Sequence, residues 1–152
     1  MSRRGVILAR RSPRSTPACQ NAPVDALYPL LLVADVEASS RFYREQLGFE
    51  FVFPHLAEAH LAGDFAMLRR GGATVQLKAL PDGQPNPNHA AHPDARQDGF
   101  IATQDPDSLC QELRERGVHI VEDVTDTDWG TREFRFADDS GYVFACGCSV
   151  DA

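Results

Sequence analysis

The chain has 152 residues, a formal net charge of −7 and a hydrophobic content of 43%. This length allows one compact domain or two small modules that share a core. The negative charge argues against a nucleic-acid-binding surface, and no apolar run reaches the ~18 residues that a membrane-spanning helix needs, so we expect neither partner.

Residues 1–22 differ in composition from the rest of the chain, since they contain five arginines and no acidic residue. The stretch lacks the roughly 7–15-residue apolar core of a secretory signal peptide. Its composition is compatible with an organelle transit peptide or with a disordered basic tail. We predict the disordered tail, because Arg, Pro and Ser bury little apolar surface.

The first structural module is predicted over residues 23–80. The apolar run Leu27–Val33 indicates a buried strand, and Asp35 is a suitable N-cap for a helix over Val36–Leu47. Gly48 can provide the left-handed turn that ends this helix. Three further strands are predicted at Phe49–Phe53, Phe65–Arg69 and Thr74–Leu80, the last two joined by a Gly-Gly hairpin.

A Pro-rich linker is predicted over residues 81–97, because prolines, asparagines and a glycine interrupt every periodic pattern there. The second module is then predicted over residues 98–149. It begins with a strand at Gly99–Thr103, and Asp105-Pro106 is a strong helix start. The helix ends at Gly117. Its three remaining strands are predicted at His119–Val124, Thr131–Phe136 and Tyr142–Cys148.

The two modules repeat one pattern. Asp35 and Asp105 are about 70 positions apart, and Gly48 and Gly117 are about 69 apart, which favours two stacked copies of one unit. Each copy reads as strand, helix and three strands. Two sheets from such copies can curve around a cleft, and a cleft is where a ligand is expected to bind.

The four cysteines do not form a Cys-x-x-Cys pair, so the sequence offers no zinc motif. Cys146 and Cys148 lie two positions apart on a predicted strand and therefore point to the same face. We predict free, buried thiols in a reducing compartment, which favours a cytoplasmic protein.

Six short motifs occur in a fixed order, namely Val33–Val36, Phe42–Tyr43, Leu47–Phe49, Gly117–Val118, Trp129–Phe134 and Asp138–Tyr142. In order and spacing they resemble the vicinal oxygen chelate superfamily, which holds glyoxalase I, extradiol dioxygenases, fosfomycin-resistance enzymes and bleomycin-resistance proteins. The resemblance covers Leu27–Gly147 and is closest to the bleomycin-resistance members. It implies an α+β fold in which two βαβββ modules form an open half-barrel cup, usually in a homodimer.

The metal-binding members of this superfamily take one ligand, typically His or Glu, from each of four strands. The resemblance places Tyr28, Gln76, Phe100 and Ala145 at these positions. Phe and Ala side chains cannot donate to a metal, and Gln and Tyr are weak ligands alone. We therefore predict no metal and no cofactor there.

His89 and His92 offer a separate His-x-x-His pattern in the predicted linker. Such a pair could chelate a metal if the segment formed a helical turn. Pro87 and Pro93 flank the pair, and we interpret both histidines as solvated loop residues.

A cup without a metal would be apolar and aromatic, which suits flat or amphipathic organic molecules. Gln76 offers a donor and an acceptor for orienting such a ligand, and Arg132, which shares a strand face with Phe134, could pair with an anionic group. Each of these residues could instead be an ordinary packing residue. The predicted ligand-binding set is Tyr28, Gln76, Phe100, Trp129, Arg132, Phe134 and Ala145.

We predict a small-molecule binding protein of the glyoxalase/bleomycin-resistance type that sequesters an organic ligand, for which a cationic aromatic compound is one candidate. No G-x-S-x-G elbow and no glycine-rich phosphate loop is present, so the sequence favours a role other than catalysis. One alternative is a metal-dependent lyase, isomerase or dioxygenase of the same superfamily with non-standard ligands. Another is an interaction module with a degenerate cup.

Overall fold

The computed structural model describes residues 24–54, 63–80 and 84–150. The predicted basic tail over residues 1–22 and the start of the predicted linker lie outside these ranges. Within them, no helix is long and apolar enough to cross a membrane.

Eight β-strands and three helices form within the described ranges, and each half of the chain carries one βαβββ unit. The predicted α+β fold with two modules is therefore confirmed. A short helix, α2, forms inside the segment that was predicted as a linker. The elements are β1 (Leu30–Val33), α1 (Val36–Glu45), β2 (Glu50–Phe53), β3 (Phe65–Arg70), β4 (Ala73–Ala79), α2 (Asn88–Ala91), β5 (Gly99–Ala102), α3 (Pro106–Glu115), β6 (His119–Asp126), β7 (Thr131–Ala137) and β8 (Val143–Ser149).

Each module folds into one four-stranded open sheet. The strand order is β1-β4-β3-β2 in the first sheet and β5-β8-β7-β6 in the second. The first strand of each module pairs in parallel with the last strand, and the other pairs are antiparallel. Strands β1 and β5 are thus edge strands in equivalent positions of the two sheets.

The two long helices begin where the sequence predicts, and α1 ends at Glu45, two residues before the predicted Leu47. Asp35 and Asp105 each accept a hydrogen bond from the backbone amide three residues later, at 3.0 and 2.9 Å. Pro106 at the start of α3 does not cost a hydrogen bond, because the first amides of a helix have no partner within it. Gly48 and Gly117 follow the helices with φ of 70° and 81°, a backbone conformation that favours glycine.

The two modules pack against each other through these helices. Helix α1 lies on β2, β3 and β4, and helix α3 lies on β6, β7 and β8. Tyr43 of α1 also donates a hydrogen bond to Asp138, beyond the end of β7 in the other module, at 2.8 Å. Arg70 at the end of β3 reaches Glu112 of α3 at 2.8 Å. Both helices therefore lie between the two sheets.

The sheet surfaces that face the helices, which we call the inner faces, form one common core. Leu31 and Val33 of β1 and Leu77 of β4 contribute from the first module, and Phe134 and Cys146 contribute from the second. The opposite surfaces, the outer faces, consequently point away from each other on the two sides of the chain.

Candidate ligand-binding site

The outer face of the first sheet carries exposed apolar side chains around one polar residue. Leu30 and Gln76 are Cα partners in the parallel pair of β1 and β4. Tyr28 precedes Leu30 by two positions, so the alternation of an extended chain directs both toward the same side. Leu30 is 52% exposed and Phe53 of β2 is 55% exposed. Leu30 and Phe53 thus place exposed apolar side chains on the same face as Gln76.

The outer face of the second sheet combines an aromatic residue with a floor of small residues. Phe100 of β5 and Ala145 of β8 are Cα partners, with Phe100 48% exposed and Ala145 buried. Gly147 continues the same face. A Cβ atom there would lie 2.5 Å from the Arg132 carbonyl oxygen and 2.7 Å from Cβ of Glu133, so a larger residue would not fit without a shift of β7. These small residues are covered by their neighbours, and Phe100 is the exposed apolar residue of this pair of strands.

Sequence reasoning missed a buried charge network on this outer face. The side chains of Glu133 and Arg135 are almost fully buried, and Arg135 Nη2 donates to Glu133 Oε1 at 2.7 Å. Arg135 also pairs with Glu122, which pairs in turn with Arg96. The strand alternation around Phe134 could have revealed the shared face of Glu133 and Arg135, but not its burial.

This network is balanced in charge, since it contains two arginines and two glutamates. Burial acts to raise the pKa of Glu122, but hydrogen bonds from Arg96 and Arg135 outweigh burial and hold that pKa below its usual value. Glu133 accepts a further hydrogen bond from the Thr131 hydroxyl at 3.0 Å. Each carboxylate of the network therefore has hydrogen-bond donors, and the equal number of arginines and glutamates gives the face no formal net charge to select an ion.

The described part of the predicted linker is tied to this second sheet. Gln97 Oε1 accepts from Arg135 Nε at 3.4 Å. The Asp98 carboxylate accepts from the backbone amides of Val143 and Asn88 at 2.8 and 2.6 Å. The segment before β5 is thus anchored to the buried network by side-chain contacts.

Arg132 and Phe134 lie on the inner face, away from the outer-face site. Phe134 is fully buried in the core between the sheets. Arg132 forms a bidentate pair with Asp107 of α3, both contacts at 2.7 Å, and a third contact with Asp126 at 2.9 Å. The two residues do share a strand face as predicted, but that face packs against α3, so we leave both out of the proposed site.

The other predicted residues fall into two groups on opposite sides of one chain. Tyr28 and Gln76 belong to the outer face of the first sheet, and Phe100 and Ala145 to that of the second. Trp129 lies in the turn between β6 and β7 and is 63% exposed. Their contact with a ligand stays a prediction.

A metal ion of the kind that the superfamily resemblance implies does not fit the outer-face residues. The side chains of Phe100 and Ala145 have no donor atom, and Tyr28 and Gln76 belong to the other sheet. Among residues 24–54, 63–80 and 84–150, no three or more His, Cys, Asp or Glu side chains are grouped to hold a metal. The carboxylate of Glu133 is already paired with Arg135.

The described cysteines are free thiols, and two of them are buried. Burial raises the pKa of Cys146 to about 12 and also raises the pKa of Cys110. Because the thiolate is the reactive form, these two thiols are chemically inert near neutral pH. Their role is packing between α3 and the second sheet.

A second hollow lies between the modules rather than on an outer face. It is a cavity of about 720 Å³ that opens beside the β3–β4 hairpin and strand β5. Leu47 of α1 and Leu113 of α3 line it, together with Phe144 of β8. Of the predicted ligand-binding residues, Phe100 is the one that lines this cavity.

Solved structures with the same fold include two that hold a drug. A glyoxalase/bleomycin resistance protein/dioxygenase from Nocardioides is 17% identical over 88% of this chain and 89% of its own, with a TM-score of 0.61. A bleomycin-binding protein in complex with bleomycin is 19% identical over 82% and 98%, with a TM-score of 0.61. The bleomycin-binding protein of Streptomyces verticillus, in complex with copper(II)-bleomycin, is 25% identical over 82% and 96%, with a TM-score of 0.60.

Sequence comparison assigns the family. No curated protein matches the chain. A sequence model describing the Glyoxalase/Bleomycin resistance protein/Dioxygenase superfamily matches residues 26–146, which is most of the chain. This match confirms the resemblance inferred from the motifs, and the structural likeness agrees with it. The chain therefore belongs to the Glyoxalase/Bleomycin resistance protein/Dioxygenase superfamily.

Proposed function

We propose that this protein binds and sequesters an organic small molecule in a cup that contains no metal ion. The observation that carries the proposal is Phe100 on an outer face, whose aromatic ring is 48% exposed and whose Cα partner Ala145 is a small, buried apolar residue. Neither side chain can hold a metal, and together they favour burial and stacking of a flat ligand.

A second copy of the chain would complete the cup. The two outer faces of one chain point in opposite directions, and both expose large apolar side chains to solvent. If the first sheet of one copy faces the second sheet of the other, Tyr28 and Gln76 approach Phe100 and Ala145. A two-fold symmetric homodimer would then hold two equivalent cups and bury the exposed apolar surface.

The chemistry of the cup favours an aromatic ligand with a few polar groups. Gln76 supplies one carbonyl acceptor and one amide donor that can orient such a ligand. The network around Arg135 has no formal net charge, so it does not favour cations over anions. The net charge of the whole chain, −7, favours the binding of cations. The fold likeness to two bleomycin-binding proteins supports an aromatic, cationic ligand class.

Thermal unfolding with candidate ligands tests the proposal. We expect aromatic cations, with bleomycin as the first probe, to raise the Tm, and Zn²⁺ or Ni²⁺ alone to leave it unchanged. Phe100→Ala and Gln76→Leu should each weaken the ligand by about 5- to 30-fold, which corresponds to losing about 1–2 kcal/mol. Gln111→Ala, an exposed change on helix α3 away from the outer faces, is the matched control.

A stabilising effect of metal would contradict the proposed function. A rise in Tm with metal alone, or tightly held stoichiometric metal in the purified protein, would favour a metal-dependent lyase, isomerase or dioxygenase.

Sedimentation of wild type and Leu30→Arg tests the second copy, because a charge on the outer face should convert a dimer to a monomer. A monomeric wild-type protein that still binds ligand would disprove the two-copy cup.

A further inference from the structure

The two modules contact each other at two places that are equivalent in the repeated βαβββ unit. The strand pairing shows which residues of the two modules correspond. In each module one inner-face residue lies four positions before the N-cap aspartate. These residues pair as Leu31 with Leu77 and Ile101 with Cys146. Ala73 and Tyr142 lie four positions before Leu77 and Cys146, so they occupy equivalent places at the start of the last strand of each module.

Tyr142 fills its place completely. Its ring is 8% exposed, and its hydroxyl donates to the backbone carbonyl of Leu32 at 2.8 Å. In β1 the carbonyls of Pro29 and Val33 accept from the β4 side, so the Leu32 carbonyl points away from the sheet. The second module thus satisfies an edge carbonyl of the first with a buried phenol.

Ala73 leaves the equivalent place open. The counterpart of Leu32 in the second module is Ala102, which follows Ile101. The Thr103 amide donates to Gly147 of β8 at 3.0 Å, so the Ala102 carbonyl points away from β8. Within the described ranges β8 is the strand that pairs with β5, and no strand covers its other edge.

The cavity of about 720 Å³ lies at this open place, because both Ala73 and Ala102 line it. Gly71 and Gly72 form the adjoining hairpin and add no side chain to the space. Leu113 and Phe144 provide apolar walls. The volume lies in the range of about 300–1,000 Å³ that is typical of small-molecule pockets. The cavity is therefore larger than a single phenol ring requires.

We propose that this cavity between the modules is a second ligand site and binds a fused-ring phenol. The ring system takes the space that Tyr142 fills at the equivalent contact, and the hydroxyl donates to the Ala102 carbonyl as Tyr142 donates to Leu32. The site adjoins the outer-face cup at Phe100, which lines the cavity, but it extends between the modules to Ala73 on the inner face of the first sheet. Burial of the rings and one directed hydrogen bond provide the affinity.

Paired probes test the hydrogen bond. Binding of 2-naphthol and of 2-methoxynaphthalene to the full chain is measured by calorimetry. We expect the ether, which has the same rings and no donor, to bind at least about fivefold more weakly, the ratio that a hydrogen bond of about 1 kcal/mol produces. Equal affinity of the two probes, or no binding of 2-naphthol at its solubility limit, would overturn the proposal.

Paired variants test the location. Ala73→Tyr should weaken 2-naphthol more than tenfold by filling the cavity, whereas Gln76→Leu in the outer-face cup should not change its Kd. The reverse pattern would place 2-naphthol in the cup, overturn this proposal and leave the proposed function standing. Because a new tyrosine at position 73 can also disturb folding, the amide NMR signals of wild type are followed as well. Shifts centred on Gly72, Ala102 and Thr103 are expected, and shifts centred elsewhere would contradict the site.

Discussion

The two contacts between the modules use the same positions of the repeated unit in opposite ways. At one contact, Asp138 follows β7 and meets Tyr43 of α1 in a buried environment. At the other, Arg70 ends β3 and meets Glu112 of α3, with both side chains about one third exposed. Asp138 and Arg70 are equivalent, because each lies two positions after an inner-face residue that pairs with the last strand.

This difference shows how one repeated unit can have one closed contact and one open contact. Asp138 accepts from the Tyr43 hydroxyl and from the backbone amides of Ser140 and Tyr142, so its carboxylate is satisfied although it is buried. Arg70 reaches across a gap to Glu112 and also donates to the Leu47 carbonyl at 2.7 Å. The closed contact favours stability of the module pair, and the open contact leaves the cavity.

The largest effect is expected from opening the closed contact. Tyr142→Ala would create there the hollow that Ala73 leaves at the other contact. We expect the free energy of unfolding to fall by about 3–5 kcal/mol, as for other buried aromatic residues replaced by alanine. Urea unfolding measures the change. Tyr142→Phe, which removes the hydroxyl bonded to Leu32 and keeps the ring, should cost only about 1 kcal/mol.

A loss below about 1 kcal/mol for Tyr142→Ala would contradict the comparison. It would mean that the ring of Tyr142 contributes little to packing between the modules. The proposed counterpart role of a ligand ring in the other contact would then lose its main support.

A smaller effect is expected from the pH dependence of the closed contact. Burial raises the pKa of Asp138 to about 6, with the neighbouring Asp139 adding to the rise. A raised pKa in the folded state means that this group stabilises the fold most below its unfolded pKa of about 4. That contribution is lost as the pH rises through about 6, by on the order of 3 kcal/mol.

Asp138→Asn isolates this contribution from the other carboxylates. The amide oxygen can still accept from the turn amides, while the titration is removed. The difference in unfolding free energy between wild type and Asp138→Asn should therefore change between pH 4 and pH 6 and be constant above pH 7. A constant difference over the whole range would show that Asp138 titrates normally.

The smallest effect is expected at the open contact. Arg70 and Glu112 are partly exposed, so their pairing energy should be about 0.2–1 kcal/mol and should decrease with added salt. A double-mutant cycle with Arg70→Gln and Glu112→Gln measures it. A coupling above about 2 kcal/mol would show that the second contact is as tightly held as the first.

Much of the secondary structure could be predicted from local rules. The aspartates before each helix and the glycines after it act within one turn of the chain, so Asp35 and Gly117 reveal the helix ends without tertiary contacts. The order of the motifs was also sufficient to identify the superfamily, because a motif is defined by residue types at fixed spacings. The motif alignment also showed from the sequence alone that the four metal-ligand positions of the superfamily are not occupied by His or Glu in this chain.

The site could be predicted only in part. Strand alternation showed that Arg132 and Phe134 share a face, but a phenylalanine suits an apolar cup as well as a core. Helix α3 determines that this face is part of the core, because its Asp107 pairs with Arg132 and the helix covers Phe134. The burial of Glu133 and Arg135 likewise depends on Glu122 and Gln97, which lie far from them in the chain.

The amino-acid order alone sets the repeated βαβββ unit, its caps and its apolar periodicity, because these depend on interactions between near neighbours. The packing of the two units determines which sheet faces are buried, leaves the outer faces pointing apart, and opens a cavity at Ala73 while Tyr142 closes the equivalent place. These features depend on contacts between residues about 40 to 110 positions apart, such as Tyr142 with Leu32. Contacts at such distances leave no periodic signal in a single sequence.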